Sequence, residues 1–240
     1  MLKDHEHDTQ AIQQRLDEGP KAEYLKEWVY GGIDGVVTTF AIIAGVAGAA
    51  LSPTIILILG FANLIADGFS MAAGAYSATK ADKDNYDRLR AREETHITKF
   101  YDGEIEETRQ ILIRKGFEGE ELEQMVETIS KDKDTWIDWM MSEEYGMSLP
   151  LNTPMGAGLN TFAAFVVCGF MPVLPFVVGM PSSLYWALAF SGITFFMIGS
   201  LKSLWSVKSF WREGIETLAI GMTAAFIAYA IGYGLKAYIG

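Results

Sequence analysis

The chain has 240 residues, half of them hydrophobic, a formal net charge of −11 and one cysteine. The acidic balance argues against a nucleic-acid partner. Cys168 stands alone in an apolar run, which excludes an internal disulfide and a CxxC metal site.

Charge is concentrated in 1–27 and 79–145, with a smaller cluster at 202–216, and the remainder is nearly bare. That distribution predicts an all-α polytopic membrane protein with a soluble helical insert. The N-terminal segment, 1–26, is polar and lacks an apolar h-region, so no cleavable signal peptide is expected. Asp4-His5-Glu6-His7-Asp8 sets two histidines between acids, a metal-competent pattern that is also ordinary in a solvated terminus. The spacing of Ile12, Leu16, Leu25 and Trp28, with a gap at Gly19-Pro20, predicts an interfacial amphipathic helix from Thr9 to Trp28.

Residues 27–78 hold two apolar runs, about 28–50 and 54–78, each long enough to cross a bilayer core. Between Glu27 and Lys80 the only charges are Asp34 and Asp67. An acid in such a run costs several kcal/mol, roughly, unless it faces protein, water or an ion, and it marks a functional site by default. Asn63, Asp67 and Met71 are spaced i, i+4, i+8, as are Tyr30, Asp34 and Thr38, so each set lines one helix face. Amide, carboxylate, hydroxyl and thioether groups all suit a divalent transition metal. The plainer reading is two buried acids bonded to neighbouring helices.

The insert, 79–150, has helical periodicity without strand alternation. It predicts a helix over 79–101 continuing from the second span, then helices over 104–115, 119–130 and 133–145. Residues 80–145 carry 19 acidic and 11 basic residues, a net −8. Three pairs stand out from this charged surface. Glu93 and His96 are i, i+3, as are Glu104 and Glu107; Met140 and Glu144 are i, i+4, so each pair projects from one side of its helix. Met141 and Glu143 are neighbours able to join such a site.

The last region, 151–240, contains apolar runs over 155–179, 184–205 and 213–236. Pro172 and Pro175 are expected to kink or break the first of these. Arg212, Glu213 and Glu216 are expected at the membrane interface, where glutamate suits a helix N-terminus. Basic residues follow the second span (Lys80, Lys83, Arg88, Arg90, Arg92) and occupy the loop after the fourth (Lys202, Lys208, Arg212). The positive-inside rule then puts the N-terminus and the insert in the cytosol. No internal repeat is evident. Five spans are an odd number for a pore-forming unit, so a two-fold homodimer is expected.

The runs DGVVTTFA (Asp34 to Ala41) and GFANLIADGFSMAAG (Gly60 to Gly74) resemble the first hairpin of the vacuolar iron transporter family. The Gly169-x-x-Pro172-x-x-Pro175 run is similar to that family's third helix. The resemblance implies a translocation pathway through Asp34, Asp67, Met71 and Asn63. It also implies a cytosolic domain binding metal through E-x-x-E-x7-E-x-x-E plus a methionine and a glutamate four apart. This chain reads Glu93-x-x-His96-x7-Glu104-x-x-Glu107, then Met140-x-x-x-Glu144, with one glutamate replaced by His96. Where the family commonly carries glutamate after S-M-A-x-G, this chain has Ala75.

The function so implied is export of Fe²⁺ from the cytosol, or of Mn²⁺, Zn²⁺ or Co²⁺, in exchange for protons. Neither a prosthetic group nor an enzymatic reaction is expected, and membrane lipid is the remaining partner. Vacuolar-type and prokaryotic plasma membranes fit equally. A membrane-anchored ferroxidase is the alternative, through Glu93-x-x-His96. Such sites typically need a second Glu-x-x-His, which a chain with only His5, His7 and His96 lacks. A helical interaction module is a third reading, against which Asp34 and Asp67 argue.

Overall fold

The computed structural model describes residues 8–239; Asp4, His5, Glu6 and His7 lie outside them. Among the described residues the regular structure is helical throughout. The helices are α1 (Thr9–Glu18), α2 (Leu25–Gly48), α3 (Pro53–Lys99), α4 (Tyr101–Arg114), α5 (Gly119–Ser130), α6 (Lys133–Glu143), α7 (Pro154–Val177), α8 (Ser183–Lys202) and α9 (Phe210–Ile239). Five of them, α2, α3, α7, α8 and α9, are long and apolar enough to cross a membrane. The chain divides into two compact units: Thr79–Leu151, and the segments on either side of it.

In the larger unit α2 packs against α7, α8 and α9. Its glycines are what permit the approach. A Cβ on Gly31 would lie 2.5 Å from the Thr161 carbonyl oxygen, and one on Gly35 would collide with the carbonyl of Phe165. From the other side, a Cβ on Gly169 would lie 2.7 Å from the Gly35 carbonyl. Backbones meet along this seam with no side chains between them, as small residues allow in membrane helices. Polar groups fix the register at one end. Trp28 Nε1 donates to Asn160 Oδ1 at 2.9 Å, and Asn152 Nδ2 donates to the Glu23 carbonyl at 2.8 Å. Thr153 caps α7 by accepting from Gly156 N–H at 3.1 Å, with Pro154 opening the helix where no partner for its missing N–H is needed.

The smaller unit is a helical bundle built on Trp136, Ile137, Met140 and Met141 of α6 with Tyr86 and Ile97 of α3. A second cluster joins Leu112, Leu122 and Val126. The Trp136 indole N–H donates to Thr108 Oγ1 at 2.8 Å, so this large buried ring leaves no donor unpaired.

Four expectations change. The segment from Thr9 to Trp28 is not one amphipathic helix. Gly19 takes a left-handed φ of 60° and Pro20 follows, so α1 stops, while Leu25 and Trp28 belong to the first membrane-length helix. The second insert helix begins at Tyr101 rather than 104, because the break falls on Phe100 (φ −129°, ψ 40°). α7 runs through Pro172 and Pro175 and ends two residues after the latter, so few helical bonds are lost; Ser183 Oγ donates to the Pro175 carbonyl at 3.4 Å. α9 starts at Phe210 rather than 213, and Glu213 is buried. Its carboxylate lies 3.3 Å from Lys202 Nζ and 3.5 Å from Lys208 Nζ, and it accepts from Ser206 Oγ at 3.1 Å.

Gly35→Ala tests the seam. Forcing a methyl against the Phe165 carbonyl is expected to destabilise the membrane unit by about 1–3 kcal/mol. Thermal unfolding in detergent should show it, and Gly74→Ala, where a Cβ meets nothing within 4 Å, should show no such loss.

Candidate functional site

Two groups of side chains are candidates for the chemistry, one in each unit. In the smaller unit Glu93, His96 and Glu104 come together, each offering a ligand atom within 4.8 Å of the others. The break at Phe100 makes this possible. Eleven residues of unbroken helix would separate Glu93 from Glu104 by about 16 Å along the axis. Instead the chain turns, Glu104 falls in the first turn of α4, and its Oε1 lies 3.3 Å from His96 Nδ1.

The two carboxylates are deeply buried, Glu93 at 0% exposure and Glu104 at 4%. Tyr145 OH donates to Glu93 Oε2 at 3.2 Å. Among the described residues Glu93 Oε1 and Glu104 Oε2 receive no hydrogen bond from a donor group. Buried polar atoms are normally bonded, so a pair of orphaned carboxylate oxygens facing one cluster marks a place for a cation or a proton. Burial, and then the neighbouring Glu104, push Glu93 up to about 7. Burial likewise raises Glu104; the bond to Glu93 opposes this, repulsion from Glu107 and Glu144 adds to it, and Arg92 opposes it weakly. Glu144 is raised by burial and by Glu107 and Glu93.

The remaining residues of the expected set fall at the margin. Glu107 and Glu144 are exposed and act on the pair through their charge. Met140 is fully buried in the bundle core, its sulfur 3.7 Å from Thr108 Oγ1, whose proton goes to the Glu104 carbonyl at 2.8 Å. Met141 is core as well, and Glu143 is paired with Lys115 at 2.7 Å. Tyr145 is a site residue that sequence reasoning missed. Its position two residues beyond α6 carries no periodic signal, and only the contact to Glu93 reveals it.

In the larger unit Asp34 on α2 and Asp67 on α3 are half-buried and close enough to feel each other's charge. Asn63 lies between their helices, its amide donating to Thr38 Oγ1 at 3.0 Å and Thr39 Oγ1 at 3.2 Å. Thr38 in turn donates to the Asp34 carbonyl at 2.9 Å. The amide nitrogen is thereby spent on structure, and Asn63 Oδ1 is the atom left for a ligand role. Asp34 lines a cavity of about 940 Å³ together with Tyr30, Val37, Lys202 and Glu213. Asp67 and Asn63 line a second, of about 630 Å³, with Ile42 and Ser70. Met71 packs on the apolar cluster that includes Leu64 and Phe165.

Comparison with known proteins gives a consistent result. A family model described as the VIT family matches residues 25–233. A vacuolar iron transporter of Toxoplasma gondii is 32% identical over 231 residues, covering 91% of this chain and 76% of that protein. Vacuolar iron transporter 1 of Arabidopsis thaliana is 32% identical over 215 residues, covering 87% and 85%. A vacuolar iron transporter of Plasmodium falciparum is 28% identical, covering 88% and 82%.

The raised Glu93 predicts how the metal-free insert responds to pH. In the unfolded chain this group loses its proton near 4.5, and in the folded one near 7. Its contribution is therefore fully present below about 4.5 and is lost as pH rises through about 7. Glu93→Gln removes that penalty. At pH 8 without metal, the variant's insert helices should resist hydrogen exchange better than wild type. Added Co²⁺ should protect wild type only. Equal protection of the two proteins at pH 8 would contradict the assignment.

Proposed function

The chain belongs to the VIT family, and from that premise we propose that it is a transporter, not an enzyme, carrying a divalent transition metal across a membrane. Fe²⁺ is the first candidate, since the relatives in Toxoplasma gondii and Arabidopsis thaliana are named vacuolar iron transporters. Mn²⁺, Zn²⁺ and Co²⁺ suit the same carboxylate, imidazole and thioether donors. The observation that carries the reading is that two half-buried acids, Asp34 and Asp67, each line a cavity on membrane-length helices that Asn63 joins through Thr38. Carboxylates in that setting bind a divalent ion when ionised and release it when protonated, which couples metal flux to proton flux. The coupling we propose is antiport, with metal leaving the cytosol. Ala75 stands where the family resemblance implies an acid, so Asp34 and Asp67 carry the proton exchange between them.

In this reading the N-terminus and the insert are cytosolic, and the cluster of Glu93, His96 and Glu104 collects metal, with Glu107 and Glu144 adding attraction at its edge. Met140 supports the cluster from the core. The functional unit is a homodimer in a vacuolar-type or prokaryotic plasma membrane. The Glu-x-x-His element serves binding, and no second such element is present to build a ferroxidase centre.

Proteoliposomes with a set pH gradient test the pathway. Asp34→Asn is expected to reduce metal uptake to the level of empty vesicles while the protein stays folded and elutes as wild type. Uptake at the wild-type rate would refute the pathway.

The collecting role has a different signature. Glu104→Ala with Glu107→Ala should raise the half-saturating metal concentration and leave the maximal rate largely intact. If this double variant is dead at saturating metal, the insert gates transport rather than feeding it.

A further inference from the structure

We infer that Tyr145 is a positioning residue of the insert's metal centre, fixing how Glu93 binds and thereby which cations the centre accepts. The inference rests on the collecting role proposed for Glu93, His96 and Glu104.

The chain around Tyr145 is built to hold it still. α6 ends at Glu143, and Glu144 N–H still donates to the Met140 carbonyl at 2.9 Å. Gly146 then takes φ 63°, a left-handed conformation that glycine adopts without strain. Met147 N–H closes the turn on the Met141 carbonyl at 2.9 Å. Tyr145 sits inside this closed turn with its ring packed on the cluster of Trp136, Ile137 and Met140. Its hydroxyl reaches Glu93 Oε2 at 3.2 Å.

That one bond divides the Glu93 carboxylate into two unequal oxygens. Oε2 is engaged by the phenol, and Oε1 is buried without a donor. Glu104 is divided in the same way. Its Oε1 lies against His96 Nδ1, while Oε2 is buried without a donor. A carboxylate with one oxygen engaged by a donor favours presenting the other oxygen alone to a metal. Two such glutamates offer a monodentate pair beside an imidazole. Ca²⁺ takes six to eight oxygens and commonly a bidentate carboxylate, so this arrangement disfavours it. First-row divalent ions accept fewer ligands and take imidazole nitrogen readily, so it favours them. Tyr145 thus biases the centre against calcium, the hard divalent cation whose preferred carboxylate geometry it disfavours.

Full-length protein in detergent, titrated with Co²⁺ and separately with Ca²⁺, tests this. Tyr145→Phe keeps the ring and removes only the donor. Outer-shell donors of this kind are worth about 10–100-fold in metal affinity. Co²⁺ affinity should fall by roughly tenfold while Ca²⁺ affinity holds or rises, so their ratio narrows by at least that factor. Infrared difference spectra of wild type with and without Co²⁺, with the Glu93 bands identified by their absence from the same difference in Glu93→Gln, provide a readout independent of the Tyr145 variant. Glu93 should show the wide splitting of carboxylate stretches that marks monodentate binding. An equal fall for both ions would mean a packing role only, and would overturn the inference. So would unchanged affinities, or a narrow bidentate splitting in wild type. Wild type that binds neither ion would instead refute the collecting role, and this inference with it.

Discussion

A carboxylate removed from water must be matched by a cation, a proton or a donor, and this protein meets that requirement in three ways. Glu213 is matched permanently, by two lysines and a serine hydroxyl. Glu93 and Glu104 are matched in part, each with one oxygen left over, so that a proton or a metal completes them. Asp34 and Asp67 each stand beside a cavity, with the Asn63 amide nitrogen committed to two threonines rather than to either acid. The gradient from fully to partly satisfied separates structural acids from those available for exchange.

The packing of the membrane unit serves the same end. α2 carries Asp34 on one side and, on another, glycines that let α7 approach to backbone contact. Close approach without bulky side chains confines the acid's surroundings without filling them, which is how a charged residue keeps a cavity beside it within a tightly packed helix bundle. In the insert the break at Phe100 does comparable work. It converts two ligands that one straight helix would hold far apart into neighbours.

Much of this is legible in the chain. The five apolar runs are long enough to be unambiguous, and the helices found over them differ from the expected bounds by a few residues. Glu93, His96 and Glu104 stand out because a defined pair of ligands interrupts an otherwise ordinary charged surface, and the family resemblance joins them across the break. What stays hidden is hidden for physical reasons. Periodicity places a residue on a face but does not say what faces it, so the burial of Met140 and of Glu213 has no sequence signature. Tyr145 lies just beyond a helix end, where no period applies, and its role comes from a turn closed by Gly146. The gap at Gly19-Pro20 was visible, yet it reads as a pause in one helix until the left-handed glycine shows two.

The ion pairs of Glu213 bear on how such a chain is made. Lys202 ends α8 and Lys208 lies in the short segment joining α8 to α9, a region whose basic residues count toward orientation while a nascent chain is inserted. At that stage acidic residues weigh little, so both lysines act as free positive charge. Once α8 and α9 pack, the same two side chains turn to Glu213. Under the orientation proposed above, their charge serves as a topological signal as well as structure. Moving Glu213 elsewhere would leave the first use intact and remove the second, so a misassembled protein could still lie in the membrane the right way round.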